Sequence, residues 1–154
     1  MKCKGNLSLE ILDITSEINE GFFVCPKCQL KFPIISKIPI LVVNLNEFLK
    51  NRPSLGGFLF ESSSTVTMKR FIKNTLSKIK KTENDFFITE RRWTQIYLSN
   101  KRSSFYKKIN FDLSKIPSKN FVIEYGSSIG TISNKLGLYH KHVFGIDISF
   151  SALL

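Results

Sequence analysis

Two sets of residues in this 154-residue chain could do chemistry. The first is sulfur. Cys25-Pro26-Lys27-Cys28 is a C-x-x-C pair, and Cys3 is the one other cysteine. A C-x-x-C turn aims two thiolates at one tetrahedral ion. Three thiols are an odd set, and this spacing points to metal or redox work rather than a disulfide framework. No thioredoxin-like βαβ pattern surrounds the pair, which favours metal. The second set is Glu124-Tyr125-Gly126-Ser127-Ser128-Ile129-Gly130, followed at a distance by Asp147. Gly126 can take positive φ, and Gly130 lets a ligand or a neighbouring strand approach the backbone. A carboxylate such as Asp147 can accept hydrogen bonds from two hydroxyls. His140 and His142 are further potential donors, but their setting reads as a loop, and solvent-exposed histidines are expected there.

These residues need elements to position them. Phe121-Val122-Ile123 is a short apolar run with β-branched residues, expected as a strand buried on both faces. Ile132 and Leu136 fall i,i+4 on one helical face, with Gly137 as a helix stop. Val143 to Ile146 reads as a second strand that places Asp147 at its carboxyl end, the edge of an open α/β sheet where ligands bind. The result is a βαβ unit whose turn holds a ligand or none. A nicotinamide cofactor would call for G-x-G-x-x-G, a spacing this turn lacks. Around the sulfur pair, Gly21 to Val24 and Leu30 to Ile34 read as strands entering and leaving a knuckle.

Between these ends, residues 46–64 contain Arg52-Pro53-Ser54, Gly56-Gly57 and Ser62-Ser63-Ser64. They read as a linker with one short helix from Glu47 to Asn51. Met68, Phe71, Ile72, Leu76 and Ile79 recur at helical spacing and predict an amphipathic helix over 65–81. A second helix is expected from Asn84 or Asp85 to about Lys108, bent or broken at Ser103-Ser104. Phe86, Trp93, Ile96 and Tyr97 would form its apolar side, turned inward onto the sheet. Pro117 to Asn120 is the expected turn into the first strand of the βαβ unit.

The formal charge is +11. Residues 62–108 carry twelve Lys/Arg against three Asp/Glu, so most of that surplus lies on the helices. Such a segment, interleaved with Trp93, Tyr97, Phe105 and Tyr106, offers cations for phosphate and rings for bases, which makes nucleic acid a candidate partner. The competing expectation is a solvated helical face. No apolar run approaches the ~20 residues of a membrane span. The polar start MKCKGNLSLE lacks a signal-peptide core, so the expected address is cytoplasmic, with no membrane partner.

Glu124, Gly126, Gly130 and Asp147 together resemble motif I and the following acidic residue of class I S-adenosylmethionine (SAM) dependent methyltransferases. Ser128 stands where that family has its middle glycine. The resemblance implies an α/β fold with the start of a Rossmann-like methyltransferase sheet, SAM as cofactor and methyl transfer as the activity. It implies cofactor contacts from Glu124, Gly126, Ser127, Ser128 and Gly130, ribose hydroxyls on Asp147 and adenine against Ile148. It names no catalytic residue, since holding an acceptor in line with the sulfonium often suffices. The acceptor stays open among small molecule, RNA and protein. The sequence stops seven residues after Asp147, so the resemblance is to the N-terminal part of the domain, and the expectation is a truncated domain.

The other end is similar to a small zinc-ribbon family whose stand-alone members activate tRNA and protein methyltransferases, and which also occurs fused ahead of SAM methyltransferase domains. The matching residues are C-K-G-N-L (Cys3 to Leu7), C-P-K-C (Cys25 to Cys28) and F-P-I-I-S-K-I-P-I-L (Phe32 to Leu41), with Lys37 where the family usually has glycine. This resemblance implies a β-rich domain with Cys3, Cys25 and Cys28 as zinc ligands. The family's first knuckle is C-P-x-C, and Cys3 matches its second cysteine; the first would fall three residues earlier, ahead of Met1. Three explanations stand: a start assigned too late, three cysteines with another donor such as His140 or His142, or a ribbon without metal. The combined division is a zinc-ribbon-like domain at 1–45, a linker at 46–64, a basic helical segment at 65–117 and the methyltransferase part at 118–154. The alternative is a non-catalytic ribbon and basic-helix module that binds RNA or activates a partner methyltransferase.

Overall fold

Four strands, β1 (Ser8–Ile14), β2 (Ile18–Val24), β3 (Lys31–Ile35) and β4 (Ile38–Pro39), pair antiparallel in chain order. They belong to a computed structural model that describes residues 3–80, 84–100, 115–117 and 121–154. These divide into two compact units, Met1–Ile88 and Thr89–Leu154. The chain is mixed α/β, with one antiparallel and one parallel sheet among the described residues. Among those residues no helix is long and apolar enough to cross a membrane.

In the first unit the expected strands on either side of the C-x-x-C pair are present as β2 and β3. Strand β1, opposite β2, is an addition that the alternation of Leu9 and Ile11 in SLEILDI could have signalled. The tight link from β3 to β4 puts both Ser36 (φ 51) and Lys37 (φ 69) in the left-handed region, with Ile35 opposite Ile38. Positive φ at both central residues is the requirement of a two-residue hairpin turn that follows the strands' twist.

Residues 46–64 are not a linker. They carry α1 (Leu45–Lys50) and α2 (Pro53–Ser62), and Leu49, Leu55 and Leu59 are fully buried. Helix α1 answers to the short helix expected at 47–51, with Leu45 and Leu49 as an i,i+4 pair; in α2 the Leu55 and Leu59 pair is disguised by Gly, Ser and Pro. Pro53 sits in the first turn of α2, where its missing N–H costs nothing. Helix α3 (Val66–Leu76) follows, shorter than the expected 65–81, with Thr65 as its cap. Phe22 of β2 meets Phe71 of α3 edge-on at 4.9 Å between centroids, joining sheet and helices in one core.

Glu20 fastens that junction. Its side chain is fully buried on β2, and its carboxylate accepts from Ser64 N–H, Thr65 N–H (3.0 Å) and Thr65 Oγ1 (2.7 Å). Thr65 Oγ1 in turn accepts from Met68 N–H at 3.2 Å. A strand residue more than forty positions earlier thus holds the capping residue of α3, and the capping hydroxyl in turn takes one of the helix's first donors.

The second unit contains most of α4 (Phe86–Asn100) and a βαβ sequence: β5 (Val122–Tyr125), α5 (Thr131–Leu136) and β6 (Val143–Ile146), then the short α6 (Phe150–Leu153). Strands β5 and β6 are parallel, with Ile123 opposite Phe144 and Tyr125 opposite Ile146. The expectation of burial on both faces fails. Ile123, Tyr125, Phe144 and Ile146 share one face and all are exposed. The two-stranded sheet packs against α5, and Leu136 of that helix is buried.

The inward turn expected of the α4 aromatics is also corrected, since Trp93 is 54% and Tyr97 41% exposed. The buried residues of the helix are Phe87 and Thr94 instead, seven positions apart on one face. The continuation to Lys108 with the Ser103-Ser104 break, the rings of Phe105 and Tyr106, Lys81, and Ser118 to Asn120 lie outside the described residues.

Candidate functional site

Among the described residues each unit holds a candidate centre. In the first, β2 ends by delivering Cys25 into a turn in which Cys25 N–H donates to Leu30 O (2.9 Å) and Gln29 N–H donates to Cys25 O (2.8 Å). Gln29 takes φ 60 to close it. Cys3 approaches from the segment ahead of β1, its sulfur 3.6 Å from that of Cys25. The three sulfurs lie within 4.8 Å of one another, and among the described residues no other His, Cys, Asp or Glu joins the group. At a Zn–S distance of about 2.3 Å the edge of a tetrahedron is about 3.8 Å, so the spacing fits one shared ion.

Gly5 crosses over these sulfurs. A Cβ there would lie 2.6 Å from Cys25 Sγ, closer than atoms can approach. The Cys25 thiol is lowered to about 7 by the backbone N–H of Cys28, with the Cys28 thiol adding to it. Cys3 is raised above the ordinary cysteine value: Gly5 N–H pulls it down, but the Cys25 sulfur and burial outweigh that pull. One sulfur of the cluster is therefore readily ionised near neutral pH, the state in which a cysteine ligates metal.

In the second unit the turn after β5 is built on alternation. Gly126 (φ 73), Ser128 (φ 48) and Gly130 (φ 71) are all left-handed. A Cβ on Gly126 or Gly130 would meet nothing within 4 Å, so backbone conformation rather than crowding selects glycine at both. Gly126 and Ser127 N–H both donate to Ile146 O, at 2.7 and 3.1 Å, clamping the turn to the end of β6. Asp147, just past that end, completes the clamp. Its Oδ2 accepts from Ser128 N–H and its Oδ1 from Ser149 N–H, each at 2.8 Å. Each carboxylate oxygen keeps a lone pair for a further donor.

A cavity of about 420 Å³ opens beside this turn, lined by Gly126, Ser128, Asp147, Ser149 and Ala152 on one side and by Glu90, Trp93, Thr94 and Tyr97 of α4 on the other. Pockets for small ligands and cofactors span about 300–1,000 Å³. Of the residues expected at a cofactor, Gly126, Ser128 and Asp147 line the cavity and Glu124, Ser127, Gly130 and Ile148 do not. The Glu124 carboxylate accepts from Ser133 Oγ of α5, Ser127 is buried, and Ile148 is 73% exposed, away from the role expected of it. The α4 residues were missed as cavity residues. Their signal is the spacing of Glu90, Trp93, Thr94 and Tyr97, which repeats at three and four and shares one helical face.

The two histidines part company. His142 is exposed, and its carbonyl accepts from Val122 N–H at 2.9 Å. His140, expected in solvent, is only 5% exposed, and its backbone N–H closes the end of α5 on Leu136 O. No family model matches this chain, and neither a curated protein nor a solved structure matches it.

Proposed function

We propose that this chain is the cofactor-binding part of a SAM-dependent methyltransferase with a zinc-ribbon module ahead of it. The observation that carries the reading is the run of three alternate left-handed residues, Gly126, Ser128 and Gly130, with Asp147 fastened to the middle one beside an open cavity. Ser128 stands at the position of a family glycine and keeps a conformation that glycine adopts most easily. Lys37 does the same in the ribbon. A serine and a lysine in backbone states suited to glycine support descent from the glycine-bearing patterns. Asp147 would accept the ribose hydroxyls on its remaining lone pairs, and the open space beside Gly126 admits the methionine part. SAM, when bound, supplies a methyl group on an electrophilic sulfonium; the chain's own residues bind and orient it.

Calorimetric titration with SAM tests the reading. The full chain binds, and Asp147→Ala weakens binding about 10- to 100-fold, the value of hydrogen bonds to a charged acceptor. Absence of binding by a folded sample ends the proposal. For the ribbon, Cys3, Cys25 and Cys28 hold one zinc ion, with water or a further donor as fourth ligand. Metal analysis should give one equivalent in the native chain and none in Cys25→Ser.

A second reading, a non-catalytic module that binds RNA, draws on the exposed cations Arg70 and Lys73 of α3 and Lys78 and Lys80 beyond it. It calls for RNA affinity that falls steeply with salt, in a chain indifferent to SAM.

A further inference from the structure

The cavity has two unlike walls, and the reading above uses only one. The wall from the β5 turn and Asp147 is made of backbone, hydroxyl and carboxylate. The α4 wall adds Glu90 and Thr94 to two aromatic rings, Trp93 and Tyr97, with centroids 6.2 Å apart and planes inclined at 33°. Both rings are substantially exposed, although Thr94 beside them is buried.

This face of α4 is fixed in place. Thr94 Oγ1 lies 3.0 Å from Ser151 Oγ, and Ser151 Oγ lies 3.0 Å from Ser149 Oγ. The same Ser149 donates its backbone N–H to Asp147. A continuous hydroxyl chain therefore ties α4 to Ser149, two residues after Asp147, and rotation of the helix about its axis would break a buried hydrogen bond. The rings face the cavity because the helix is held there.

We infer that Trp93 and Tyr97 form a cation-recognising wall, so that the cavity takes the positively charged sulfonium form of its nucleoside in preference to the neutral thioether. This deepens the SAM reading and rests on it. A hydroxyl-bearing nucleoside engages Asp147 in either charge state. Only the sulfonium adds attraction to the negative face of an indole or phenol ring. Such an attraction corresponds to a preference of about 3- to 30-fold, the larger value for a cation stripped of water. Stacking of the rings on the adenine is the competing arrangement, and it would not distinguish the two ligands.

Trp93 is the chain's single tryptophan, so its fluorescence reports the wall directly. The full chain is titrated with SAM and with S-adenosylhomocysteine, by fluorescence and by calorimetry. SAM should change the emission of Trp93 and bind about 3- to 30-fold more tightly than the thioether. Trp93→Leu, at a site more than half exposed, should equalise the two by weakening SAM alone, and Tyr97→Leu should narrow the gap. Trp93→Phe, which keeps a ring face, should restore most of the preference. Equal affinities in the native chain, or equal losses for both ligands in Trp93→Leu, overturn the inference and leave the cofactor reading standing. Failure of both ligands to bind a folded chain removes the cofactor reading and the inference with it.

Discussion

Glu20 and Asp147 perform the same local act in the two units and differ in what remains afterwards. Each carboxylate gathers backbone N–H groups from a segment far along the chain: Ser64 and Thr65 in one case, Ser128 in the other. Glu20 is fully buried and its third partner is the Thr65 hydroxyl, so the partners it has are protein groups and no solvent reaches it. Asp147 is half-buried, accepts two N–H groups and lines a cavity. A fully buried carboxylate bonded to protein donors stabilises a junction. The same group with lone pairs open to a cavity can still accept from a further donor.

That contrast can be broken at each of its ends. The largest effect is expected from Glu20→Ala. It leaves the Ser64 and Thr65 N–H groups and the Thr65 hydroxyl at the cap of α3 without their acceptor and should lower stability by about 3 kcal/mol in denaturant unfolding. SAM affinity per folded molecule should be unchanged, and a parallel loss would mean that the two carboxylates are not separate in role. Asp147→Ala should show the reverse balance. Ligand affinity falls about 10- to 100-fold while stability falls by about 1 kcal/mol, since water reaches the freed N–H groups.

The smallest effects come from the left-handed positions. Ser128→Gly and Lys37→Gly should each stabilise by about 0.5–1 kcal/mol, the left-handed penalty of a side chain less the extra freedom of glycine when unfolded. Thermal midpoints measure both. Ser128→Gly alone should also leave SAM binding equal or tighter, because it widens the approach to the turn. Destabilisation of both variants would argue that the two side chains contribute contacts that outweigh their backbone strain.

The chemistry-bearing residues were legible where pattern is local. The C-x-x-C turn, the glycine-marked turn after a strand and the acid ending the next strand each occupy a few consecutive residues, and the structure brings Cys3, Cys25 and Cys28 together as expected. Illegible features were those in which composition masks packing or distance hides a partner. Helix α1 was legible as the short helix expected at 47–51, whereas α2 lay beneath Gly, Ser and Pro because its leucine pair is short and a proline in a first turn looks like a breaker. Helix α4 looked like one apolar stripe. Its stripe is in fact divided between buried Phe87 and Thr94 and the exposed Trp93 and Tyr97 at the cavity.

By itself, the sequence determined the thiol knuckle, the βαβ order and the place of Asp147 at a strand's carboxyl end. Backbone sterics and hydrophobic spacing act over a few residues and can be read in a line. Only the tertiary structure decided that Glu20 serves the start of α3, that Gly5 passes over the sulfurs, and that Trp93 and Tyr97 face the Asp147 edge. The periodicity of a helix states which side chains share a face. What that face meets depends on contacts between distant segments, and those exist only once the chain has folded.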